Sequence, residues 1–150
     1  MNRVAIRSIS HIHIAAIIIL GFTIYANSLN GKFVWEDYGL IKENAHIKDW
    51  RYLPRIIKED FGSTGETKSN FYRPLQMIAH MIDYSLCGFN VQGYHLTSIL
   101  LHILTALSLY FFVRLILYDV NISFLASLLF LAHPINTEAV SYISGLSDPL

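Results

Sequence analysis

The sequence predicts an all-α, multi-span integral membrane helical bundle with an extracytoplasmic loop and a juxtamembrane amphipathic helix. Three observations carry that reading. The chain is 53% hydrophobic and only 15% charged, whereas soluble domains run near about 25% charged. No Asp, Glu, Lys or Arg falls within residues 8–31, 84–113 or 120–137. A spanning helix needs roughly 20 apolar residues, and three such gaps in one short chain read as membrane rather than core helices. Most of the charges, finally, sit together in the stretch between the first two gaps.

The first span is expected over about 9–29. Arg3 and Arg7 precede it, and Ala26-Asn27-Ser28 has the small-x-small spacing of a signal-peptide cleavage site. The apolar run is longer than a signal h-region, which favours a retained span. His11 and His13 lie two residues apart and so cannot share a helix face as metal ligands would. They read as polar residues at the helix start.

A loop over about 30–93 follows. Within it Trp50, Tyr52, Leu53, Ile56 and Ile57 give the stretch Asp49–Ile57 the pattern of a short helix on the membrane surface. Pro74 suits a first helical position and Gly88 a C-terminal stop. Between them Gln76, His80 and Asp83 recur at helical spacing, one polar stripe on an apolar helix. At 74–86 this element is too short to span and is expected at the interface.

The second span is expected over about 95–118. His95, Ser98, His102 and Thr105 share one of its faces, as packing hydrogen bonds between helices or as groups facing a substrate. Arg114 sits near its far end and can snorkel. A tight turn leads to the third span, about 122–133, which stops early at His133-Pro134. Backbone left at membrane depth requires protein or a water-filled cavity beside it, so the external segment 134–150 is expected to line a cavity.

Net charge is zero, with no basic stripe, which argues against nucleic acid as a partner. The single cysteine, Cys87, excludes an intrachain disulfide and offers no thiolate pair for zinc. The charge asymmetry of the loops leaves orientation open, because the first loop is charge-balanced while Arg3 and Arg7 flank the first span.

The candidate site is Phe33-Val34-Trp35-Glu36-Asp37-Tyr38, an acidic pair framed by aromatics shortly after the first span. Carboxylates just outside a membrane helix are placed to act on a substrate whose tail lies in lipid. Taken alone, Glu36 and Asp37 nonetheless read first as a solvated loop pair. Trp35 and Tyr38 suit interfacial anchoring first and sugar stacking second.

Five motifs occur in order: residues 33–38, Tyr72-Arg73-Pro74-Leu75, Gly93-Tyr94-His95-Leu96, His133-Pro134-Ile135-Asn136-Thr137-Glu138-Ala139-Val140 and Ile143-Ser144-Gly145-Leu146-Ser147-Asp148. This series resembles the N-terminal part of the tetratricopeptide-repeat O-mannosyltransferases and their bacterial relatives, members of the GT-C superfamily, over about residues 20–150. The resemblance implies a cytoplasmic N-terminus and an extracytoplasmic acidic loop. It also implies transfer of a sugar, a hexose such as mannose, from a polyprenyl-phosphate donor to a protein or glycan hydroxyl. It makes Asp37 and Glu36 catalytic, with Asp37 the general base, or the ligands for any divalent cation, Mg or Mn. It also brings His133, Glu138 and Asp148 to the same cavity, with Arg73 and His95 as further substrate-binding positions. Membrane lipid is then a partner, in a bacterial inner membrane or the endoplasmic reticulum. Relatives usually have Asp-Asp where this chain has Glu36-Asp37, and Arg where it has Leu146. The chain is expected to be a piece of a longer protein with more spans.

The alternative is a non-catalytic component, a transporter piece or assembly subunit, in which His95, His102 and His133 relay protons or pack. Downstream sequence separates the two. Further spans and a roughly 34-residue helical repeat support the transferase, and an inverted copy of these spans supports the transporter.

Overall fold

The computed structural model describes residues 3–58 and 72–147. Among them the regular structure is helical throughout: α1 (Arg3–Tyr25), α2 (Leu53–Lys58), α3 (Pro74–Cys87), α4 (Val91–Leu117), α5 (Val120–Leu131) and α6 (Thr137–Ser141), joined by short 3-10 and π turns. Two segments, Ile9–Asn30 and Val91–Leu117, are long and apolar enough to cross a membrane. The pair Val120–Leu131 and Pro134–Ser141, bent by 50°, makes a third if it is one span. The chain is an all-α membrane helical bundle.

Local chemistry sets the element ends. Asn90 accepts a hydrogen bond from the Gln92 N–H and caps α4, which therefore starts at Val91 rather than at His95. Tyr118 turns the chain in the left-handed region at φ 56°. Asp119 then accepts from the Asn121 and Ile122 amides, an N-cap worth about 1 kcal/mol that folds α5 back along α4. Asp49 similarly accepts from the Arg51 amide and starts the 3-10 turn before α2.

The bundle core joins α1, α4 and α5 through Ile17, Tyr25, Ile99, Ile103, Ala106, Tyr110 and Leu131. On the outside Ile12, Ile19, Leu104, Phe112, Leu115, Leu125 and Leu129 are exposed. An apolar outer face of this kind is what lipid requires of a spanning helix. Where α5 ends short, protein takes up its carbonyls. The Tyr25 hydroxyl donates to the Leu131 carbonyl at 3.1 Å, His102 Nε2 donates to the same oxygen at 3.3 Å, and Asn136 Nδ2 donates to the Phe130 carbonyl at 2.7 Å. His102 is thus a packing group for the broken helix.

A second layer covers one end of the bundle. Phe33, Ile41, Ile47 and Ile56 from the first loop pack with Met77 and Met81 of α3, Tyr94 of α4 and Ile143. Helix α3 starts at Pro74 and ends before Gly88, at φ 59°. Its polar stripe does not face water, as an interfacial helix lying on a bundle would place it. Gln76, His80 and Asp83 are all buried, while Leu75, Ile82 and Leu86 are exposed. The buried face of α3 is mixed: Gln76 and Asp83 bond to Ser144 and Thr97, while Met77 and Met81 pack in the second layer.

Candidate functional site

Asp37 is fully buried, held by a tight turn that its own side chain closes. The Asp37 amide donates to the Val34 carbonyl at 2.9 Å, and the Val34 amide donates to Asp37 Oδ2 at 2.9 Å. This reciprocal pair drives Trp35 into the left-handed region at φ 44°, which costs a residue with a Cβ of order 1–3 kcal/mol. A π-helical turn, Tyr38–Lys42, follows directly, a local irregularity frequent at functional sites.

The other carboxylate oxygen meets a segment more than a hundred residues away. Ser144 donates to Asp37 Oδ1 through its amide at 3.0 Å and also through its hydroxyl. Gln76 Nε2 of α3 donates to the Ser144 carbonyl at 2.8 Å, so the polar stripe of α3 clamps the far side of the same contact. The Trp35 and Tyr142 rings meet edge to face, with centroids 6.2 Å apart. Gly145 lies so close to α6 that a Cβ there would sit 2.9 Å from the Glu138 carbonyl oxygen and 3.2 Å from Ala139 Cα. The first loop and the segment after the third span thus converge, and the tie runs through Tyr142 and Ser144.

The sequence-derived candidates fall unequally around this contact. Asp37 is at its centre, and Glu36 is exposed beside it. His95 is buried, with neither ring nitrogen in a hydrogen bond, within electrostatic reach of Asp37. A Cβ built on Gly31 would lie 2.4 Å from the His95 Nε2 and 2.9 Å from the Ser28 carbonyl oxygen, so a larger residue there would push the ring or the turn aside. Arg73 is exposed at the start of α3. His133 is exposed, and its Nδ1 accepts from the Ile135 amide at 3.2 Å; it caps its own turn. Glu138 is exposed on α6. Asp148 lies outside the described residues.

Leu146 is 1% exposed, a core side chain where the resemblance expects arginine, so that position supplies no cation for a phosphate. A cation near the acidic turn comes from Lys42 instead, whose Nζ lies 4.5 Å from the Tyr38 ring centroid and 5.4 Å from that of Phe33. Lys42, Gln76, Tyr142 and Ser144 were not singled out as site residues from sequence. Only Ser144, inside the last motif, and Gln76, on the polar stripe, left a trace there.

The divalent-cation expectation finds no ligand set among the described residues. No group of three or more His, Cys, Asp or Glu is placed to hold a metal ion, and both oxygens of Asp37 already accept from protein donors.

Beneath the contact, α3 carries two buried ionisable groups of opposite preference. Burial pushes the Asp83 carboxyl up from 3.8 to about 6, although the Thr97 hydroxyl donates to its Oδ1 at 2.5 Å. Burial holds the His80 imidazole down, from 6.5 to about 4. Because the folded-state pKa of Asp83 is raised, its contribution to stability is fully present below the ordinary 3.8 and is lost as pH rises through about 6. His80 works in the opposite sense: its contribution is present above 6.5 and is lost as pH falls through about 4. Asp83→Asn is therefore expected to raise the unfolding temperature at pH 8 and to leave it nearly unchanged at pH 4. Thermal unfolding in detergent at the two values checks this, and an equal shift at both would remove Asp83 as the titrating group.

No protein-family model matches the chain, and no solved structure matches it. Curated relatives do. The human protein O-mannosyl-transferase TMTC2 is 34% identical over 132 residues, 86% of this chain and 16% of the relative. The protein O-mannosyl-transferase Tmtc1 of Drosophila melanogaster is 31% identical over 86% of this chain and 15% of its own length. Human TMTC3, also a protein O-mannosyl-transferase, is 33% identical over 84% of this chain and 14% of its own length. The resemblance carried by the five motifs is borne out, and the chain spans about a sixth of the curated relatives it matches.

Proposed function

We propose that this chain forms the N-terminal part of a multi-pass membrane glycosyltransferase that moves a hexose, mannose, from a polyprenyl-phosphate donor to a protein hydroxyl on the extracytoplasmic side. The relatives named as protein O-mannosyl-transferases support the transferase class and the protein acceptor. The observation that carries the site is the Asp37 carboxylate, fixed from both sides by Val34 and Ser144.

The reaction breaks the bond between the sugar's anomeric carbon and the donor phosphate oxygen. It forms a bond from that carbon to the acceptor oxygen, and the acceptor's proton must leave. An ionised carboxylate offers about four acceptor positions, and Asp37 gives three of them to its protein donors. The fourth is left for the acceptor proton, so general-base action by Asp37, which is fully buried here, requires the acceptor to displace part of its cover. The three donors set its orientation before substrate arrives, which is how positioning lowers a barrier. Lys42, beside the same turn, offsets the charge of the departing phosphate.

This reading requires the acidic loop to lie outside. Glu43 is exposed in that loop, and Glu43→Cys in a Cys87→Ser background reports its side. Labelling by a membrane-impermeant maleimide is the expected result in intact spheroplasts of a bacterial host that carries the protein in its inner membrane. Labelling only after permeabilisation would invert the topology and remove the site from the donor's side of the membrane.

A further inference from the structure

We propose that Trp35 and Tyr142 form an aromatic corner that holds the pyranose ring of the donor sugar beside Asp37. The inference rests on the transferase reading above and adds to it the subsite for the transferred group.

Trp35 is 85% exposed, yet its backbone is held at φ 44°. Packing does not explain that conformation, since almost none of the side chain is covered. The hold comes from the reciprocal bonds between Val34 and Asp37. Strain kept at an exposed ring points to function rather than to the fold. A ring serving only to float at a lipid surface needs no such hold. Trp50, in contrast, sits in an ordinary 3-10 turn and donates its indole N–H to Ser85.

Tyr142 supplies the second wall, at 73° to the Trp35 plane. It lies two residues before Ser144, which donates to the opposite oxygen of the same carboxylate. Both rings are therefore fixed relative to Asp37 through a few bonds each. A pyranose presents a face of C–H bonds that packs on an aromatic plane and a rim of hydroxyls that bonds to carboxylates. The corner offers the first, and the exposed Glu36 beside it offers the second. Stacked there, the sugar is held at the loop that carries Asp37.

The test uses the full-length protein with polyprenyl-phosphate mannose, comparing wild type with Trp35→Gly, Trp35→Phe and Asp37→Asn. Glycine accepts φ 44° freely, so Trp35→Gly keeps the turn and loses only the ring. Expected is a rise in donor KM of about tenfold with kcat within about twofold, the pattern of lost uniform binding. The unfolding temperature should hold or rise, and Trp35→Phe should recover most of the affinity. Tyr142→Ala should raise KM in the same way, and Tyr142→Phe should not. An unchanged KM in Trp35→Gly overturns the corner. A wild-type rate in Asp37→Asn would overturn the base assignment, and the KM comparison would still judge the corner on its own.

Discussion

Asp37→Asn in the full-length protein is expected to lower turnover of polyprenyl-phosphate mannose by about 10²–10⁴-fold, the usual cost of losing a general base. The amide keeps the shape of the carboxylate but cannot take a proton. It also cannot satisfy both of its neighbours. With its oxygen toward Ser144, its NH2 group faces the Val34 amide, donor against donor. A stability loss of about 1–3 kcal/mol accompanies the change, seen as a lower unfolding temperature. Ser144→Ala separates the two effects, because it removes one donor to Asp37 Oδ1 and leaves the carboxylate. It is expected to cost comparable stability and less than about tenfold in rate. Equal rate losses in the two variants would make Asp37 a structural anchor. Glu36→Gln, at an exposed position, should change the rate least.

Gly145→Ala is expected to lower the transfer rate by on the order of 10²-fold, the size of effect that a misplacement of about 1 Å produces, without touching any ionisable group. The added methyl would meet the Glu138 carbonyl oxygen at 2.9 Å and the Ala139 Cα at 3.2 Å. Both are backbone atoms that no rotamer change can move aside, so the 143–147 turn itself must shift and carry Ser144 off Asp37. Gly88→Ala is the comparison. A Cβ there meets nothing within 4 Å, and its cost is the strain of φ 59° alone. It should lower stability and leave the rate unchanged. A rate in Gly145→Ala equal to wild type would show that the Asp37–Ser144 contact does not matter for turnover.

The membrane architecture was legible because charge is excluded from lipid at high cost, so the uncharged runs mark the helices directly. The break at His133-Pro134 was legible for a related reason, since a proline after a short apolar run ends α5 before it reaches the length of a full span. What takes up its carbonyls was not, because Tyr25, His102 and Asn136 reach them through tertiary packing. The polar stripe of α3 could be read as a face, but not which way it points. Against water the stripe would turn outward, and against Asp37, Ser144 and Thr97 it turns in. Asp37 stood out as one of an acidic pair, while Ser144, a small hydroxyl residue among several, did not. Their contact is long-range, and no local spacing encodes it. His133, chosen for its motif, is satisfied within its own turn. Leu146, already a departure from the arginine of the resemblance, fills the core.

The most direct measurement is of the reaction itself. Full-length protein in proteoliposomes is supplied with polyprenyl-phosphate mannose or, separately, with a nucleotide-linked mannose, together with an acceptor protein, and the acceptor is mapped by mass spectrometry. The account predicts hexose on serine or threonine side chains with the lipid-linked donor only, lost in Asp37→Asn. Transfer from the nucleotide-linked donor alone, or undiminished hexose in the Asp37→Asn protein, would contradict it.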